Sequence, residues 1–208
     1  MHSNNDIRKV RVLDGLAVAF GIIEYNYDGL LESCNCMQGE EADMAEVLSR
    51  SWSIIDSVHR VNQLIQATPG LNQKQQVVKD YLSVSLIAKE FRNYVQHLSR
   101  ELGKKEPDPF PVWGSISWVD LSDDKLCHTA LIGTQIEGTT LSSCVYDTEE
   151  EKWVSKVCLS VRGLAFNFDI VVQAVRELKR FVIPWILNSY EPGIDLSTKF
   201  PIYSARVE

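Results

Sequence analysis

The sequence has no apolar run approaching the ~20 residues that a membrane-spanning helix needs, so no membrane segment is expected. It has no Gly-rich phosphate loop, no Gly-x-Ser-x-Gly and no His-Glu-x-x-His. The usual motifs for a phosphate cradle, a serine nucleophile or a zinc peptidase are therefore missing, and no metal or cofactor is expected. It also lacks a basic excess: the formal net charge is −7, which argues against broad nucleic-acid binding. The first residues, "MHSNNDIRKVRVLDG", carry bases without a continuous apolar run after them, so a signal peptide is not expected. Cysteine is scarce and odd in number, at five, which fits reduced thiols in a cytoplasmic protein better than a disulfide framework.

What is present is helical periodicity in the first half and strand-like alternation later. Val12, Leu16, Ala19, Phe20 and Ile23 mark a first helix over residues 8 to about 27, followed by a loop, "DGLLESCNCMQGEEAD". Val47, Leu48, Trp52, Ile55, Val58, Val61 and Leu64 mark a second, ended by "TPG" at 68–70. A third helix is predicted from about Gln73 to Gly103. It is apolar on more than one side, which predicts burial in a symmetric homodimer. "KKEPDPFP" then breaks regular structure.

From Val112 the pattern changes to short β-branched and aromatic runs separated by "SDDK", "EGTT" and "TEEE". These predict a four-stranded antiparallel meander over 112–161, with Trp113, Trp118 and Trp153 packing it on the helices. A fourth helix follows, capped by Asn167 or Asp169 and kinked or shortened by Pro184. The predicted fold class is α+β within a single domain. A four-helix bundle (8–111 and 162–188) carries a small antiparallel sheet (112–161) inserted between helices three and four, and a C-terminal tail covers 189–208. Four short strands alone have too little core to stand as a separate domain.

One string in the third helix carries chemistry: Arg92-Asn93-Tyr94-Val95-Gln96-His97. In a helix Asn93 and His97 share a face one turn apart, and the long Arg92 side chain can bend toward the same spot. A guanidinium holds phosphate, a histidine moves protons near neutral pH, and an asparagine fixes a ring tautomer or a substrate oxygen. Such a set suits phosphodiester cleavage. The surrounding stretch is locally basic: Lys74 to Lys105 holds seven Lys/Arg against three acids. That charge reads either as a phosphate-facing surface or as a solvated helix face.

This Arg-Asn-x-x-x-His string, late in the third helix of a four-helix arrangement, resembles the HEPN superfamily (higher eukaryotes and prokaryotes nucleotide-binding). The resemblance covers roughly residues 10–105 and 165–188 and leaves the sheet unexplained. It implies a homodimer with facing motif helices and a metal-independent endoribonuclease that works through the RNA 2′-hydroxyl, so that DNA is not a partner, in some members a toxin paired with an antitoxin. Arg92 would polarise the scissile phosphate, His97 would act as acid or base, and Asn93 would orient the site. The alternative is a non-catalytic interaction or regulatory protein in which the cluster is a buried polar network setting dimer geometry.

Other candidates read more simply as structure. Asp56 and Arg60 form an i, i+4 ion pair beside His59, and Glu90 can pair with Arg92 or Lys89. Cys34, Cys36, Cys127 and His128 have poor spacing for zinc. Cys144 and Cys158 read as core residues, and the tryptophans as packing rather than base-stacking platforms.

Overall fold

A computed structural model of the chain describes residues 4–37, 44–104, 109–139, 142–189 and 202–206. Parts of the expected loops and tail (38–43, 105–108, 190–201) lie outside the described residues. The order is α1 (Asn4–Asn35), α2 (Met44–Ala67), α3 (Gln76–Val84), α4 (Leu86–Gln96) and α5 (Leu98–Leu102). Six strands follow: β1 (Ser115–Val119), β2 (Cys127–Leu131), β3 (Tyr146–Asp147), β4 (Lys152–Trp153), β5 (Val157–Val161) and β6 (Leu164–Asn167). Then comes α6 (Phe168–Asn188). The protein is α+β, with a small antiparallel sheet lying in sequence between α5 and α6.

Helix α1 runs eight residues past its expected end. The segment expected as a loop continues the stripe: Ile23, Leu30 and Cys34 are fully buried and Tyr27 packs on the core, at spacings of four, three and four. Helix α2 packs antiparallel to α1, with Leu64 against Gly15 and Glu46 accepting from Ser33 at 3.2 Å. Helix α6 also runs antiparallel to α1. Lys9 Nζ donates to the Ser189 carbonyl at 3.0 Å, and Lys179 Nζ lies 2.8 Å from Glu24. Pro184 does not shorten α6, which continues to Asn188.

The predicted third helix is three pieces. It bends at Ser85, which is buried and accepts from Asn62 Nδ2 of α2 at 2.6 Å. It breaks again at His97 (φ −109°, ψ 20°). Each piece has its own neighbours: α3 lies on α6, while α4 lies on α2 and β6. The breadth of the apolar pattern thus has a cause within one chain. Val78 and Tyr81 are fully buried in α3, with the Tyr81 hydroxyl donating to the Val58 carbonyl of α2 at 2.7 Å, and Ala88 and Phe91 are fully buried in α4.

The meander expected over 112–161 is instead a four-stranded sheet of order β2-β1-β5-β6 beside a separate β3–β4 hairpin. It extends to Asn167, beyond the expected boundary at 161, because "LAFN" pairs with β5. Both central strands are fully buried. On the helix side, the row Ile116, Leu159 and Phe166 joins the helical core. On the other side, Val119, Cys144 and Cys158 form a small second cluster. Trp118 is in the main core and Trp113 meets Trp52 at 6.4 Å. Trp153, expected on the helices, lies on the far side with the second cluster. Gly114 is required where β1 begins. Its φ is +85°, and a Cβ there would sit 2.0 Å from the Ser160 carbonyl oxygen.

An aromatic joint and a carboxylate clasp are among the contacts that fasten the sheet to the helices. Phe91 of α4 has ring neighbours Trp52 of α2 at 6.0 Å and Phe166 of β6 at 5.7 Å. Asp169, in the first turn of α6, accepts from the Tyr27 hydroxyl at 2.7 Å and from the Lys156 and Val157 amides at 2.6 and 3.0 Å. Burial and this carboxylate together push the Tyr27 phenol well above its ordinary pKa. Asn167 stands at the N-cap position of α6 but makes no side-chain cap bond there.

Candidate functional site

The break at His97 shapes the site. His97 closes α4 with its own amide still bonded to the Asn93 and Tyr94 carbonyls at 3.1 and 3.2 Å, and its side chain is exposed. Asn93 lies one turn earlier. Both line a cleft of about 190 Å³ between α4–α5 and the tip of the β5–β6 hairpin. Glu90, Arg100, Glu101 and Arg162 make up the part that carries charge, two carboxylates beside two guanidiniums. Glu101 accepts from Arg162 and Lys104, with Arg100 at 3.9 Å. The Lys104 bond first, and then the charges of Arg162, Lys104 and Arg100, hold its carboxyl below the usual carboxylate range.

Arg92 belongs to a different cluster. Its Nε lies 3.0 Å from Asp56 Oδ1, while Arg60 Nε lies 2.5 Å from the other oxygen of the same carboxylate. The helix directs Asn93 and His97 to the cleft and Arg92 toward α2, and Asp56 rather than Glu90 receives it. Asp56, read from sequence as the partner of Arg60, is thus shared by two guanidiniums.

His59 sits beside this pair, and its pKa is lowered. Burial disfavours the charged ring first and the Arg92 charge second, while the Asp56 carboxylate acts in the opposite direction. A histidine with a folded pKa below 6.5 binds fewer protons than in the unfolded chain. It therefore contributes stability above pH 6.5 that is lost as pH falls through the folded value. Asp56→Asn removes the carboxylate that favours the charged ring, so the His59 pKa is expected to fall further. Its ring proton shift, followed by NMR against pH, checks this; an unchanged or higher midpoint contradicts the assignment.

The remaining sequence candidates are dispersed. His128 pairs with Asp120 at 3.0 Å and its ring lies 5.2 Å from Trp118. Cys34 is buried, with its thiol pushed up to about 12 by burial. Among the described residues no three His, Cys, Asp or Glu side chains gather as a metal site would need, and no helix is long and apolar enough to cross a membrane. Sequence reasoning missed Arg162, Arg100 and Glu101. The signal for Arg162 was its place in an Arg-Gly pair between two short apolar runs, a two-residue hairpin turn. No family model, curated protein or solved structure matches the chain.

Proposed function

We propose that the protein is a HEPN-like, metal-independent endoribonuclease acting through His97 at the α4–α5 junction. The observation that carries the reading is the exposed His97 one turn from Asn93 on the wall of a single cleft that also holds guanidinium groups. The RNA 2′-hydroxyl attacks the adjacent phosphorus, the bond to the 5′-oxygen breaks, and a 2′,3′-cyclic phosphate and a 5′-hydroxyl remain. His97 moves a proton in this exchange, from the attacking oxygen or to the leaving one. Asn93 holds the ring or a phosphate oxygen, and nearby guanidinium groups offset the charge that builds on the phosphate. Arg92 would join them only by sharing or leaving Asp56.

By the same resemblance the working unit is a homodimer. Leu86 and Leu102, 58% and 57% exposed on the α4–α5 segment, give a second copy something apolar to cover. The second reading, a non-catalytic interaction protein, is favoured by one observation. Arg92 already has a carboxylate partner, as an arginine with a structural role would.

The deciding assay incubates purified protein with single-stranded RNA in EDTA, beside DNA of the same sequence. Cyclic-phosphate RNA products with intact DNA support the nuclease. Intact RNA removes it in favour of the interaction protein. Light scattering of the same sample at tens of micromolar gives the mass, and a monomer counts against the dimer.

A further inference from the structure

The β5–β6 hairpin turns through two residues, and both have positive φ: Arg162 at 49° and Gly163 at 76°. Glycine suits that region, whereas an arginine there carries a backbone cost that asparagine or glycine would reduce. Glu151 in the β3–β4 turn adopts the same region at φ 50°, so the backbone alone marks no site, and what sets Arg162 apart is where its side chain goes. Here the turn delivers the guanidinium into the cleft of Asn93 and His97, where it meets Glu101. The sheet thus supplies a cation to the His97 cleft, while the motif's own arginine lies on Asp56 of α2.

We propose that Arg162 is a phosphate-binding residue of this cleft, held ready by Glu101 and transferred from that carboxylate to a phosphodiester of single-stranded RNA. This rests on the RNA reading above and gives the inserted sheet a task within it. A phosphodiester offers the same forked geometry as the carboxylate it replaces, so the exchange needs no large movement of the guanidinium. Arg100 and Lys104, which also attend Glu101, keep the released carboxylate paired when Arg162 leaves. Glu101 is accordingly a competitor for the same cation, and removing its charge should strengthen RNA binding.

The probe is a short single-stranded RNA with every 2′-hydroxyl methylated, which this chemistry cannot cleave, so binding is read apart from turnover. Arg162→Asn suits the turn better than arginine, so its thermal midpoint should equal or exceed that of the unaltered protein. Its affinity for the probe should fall about tenfold to a hundredfold, as expected for a lost charged hydrogen bond. The slope of log affinity against log salt should shrink by roughly 0.7, the share of one phosphate contact on a single strand. Glu101→Gln should bind more tightly than the unaltered protein. Equal affinity of the Arg162→Asn and unaltered proteins overturns the assignment, as does no binding by either. Cleavage of ordinary RNA by the Arg162→Asn protein at full rate, with unchanged probe affinity, would leave the nuclease standing without this residue. Arg162-dependent binding without any cleavage would leave the residue standing without the nuclease.

Discussion

The His97→Ala protein is expected to cleave RNA about 10²–10⁴-fold more slowly than the unaltered chain, the usual loss when a positioned acid or base is removed. The change should leave the fold intact. His97 is exposed and ends α4, and its backbone amide, not its ring, makes the bonds that close the helix. Product formation under single-turnover conditions in EDTA measures the rate, and circular dichroism checks the fold. A variant with unchanged rate excludes His97 as the proton carrier. Arg92→Ala in the same assay separates two roles for that guanidinium. Lost cleavage with an unchanged melting point puts Arg92 at the phosphate. Unchanged cleavage with earlier melting makes the bond to Asp56 its purpose.

Phe91→Ala is expected to destabilise the protein by about 3–5 kcal/mol, the range for removing a buried aromatic ring from a packed core. Phe91 is fully buried and touches both Trp52 and Phe166, so the cavity would open where α2, α4 and β6 meet. Partial closure would have to move a helix and a strand together, which places the effect high rather than low in that range. Urea unfolding followed by tryptophan fluorescence measures it. A loss below about 1 kcal/mol would mean that the joint collapses without cost and is no anchor.

The long amphipathic stripes of α2 and α6 were readable in the sequence because each is buried along one continuous face. The end of α1 was equally present, in the Ile23-Tyr27-Leu30-Cys34 spacing, but glycine and acid around it mimic a loop. The bend at Ser85 was not readable. It depends on a hydrogen bond to Asn62, twenty-three residues away, and nothing local marks it. Strand β6 was missed because four residues carry little periodicity. The pairing of Asn93 with His97 followed from helical spacing alone. The direction of Arg92 did not, because a long side chain goes to whichever partner tertiary packing offers, here Asp56 of α2.

The Asp169 clasp also constrains how the chain is made. A single carboxylate at the start of the last helix holds a phenol from the first helix and two amides beside the fifth strand. The clasp on α6 is therefore complete only once α1 and the start of β5 are both in place. Roughly 130 residues separate the end of α1 from the start of α6, which at typical synthesis rates amounts to on the order of ten seconds. During that interval the α1–α2 pair emerges with the face for α6 uncovered, including Glu24 and Tyr27, which meet Lys179 and Asp169 only when α6 arrives. The nascent protein thus has a window of vulnerability to association with other chains, and it closes only when the last helix docks.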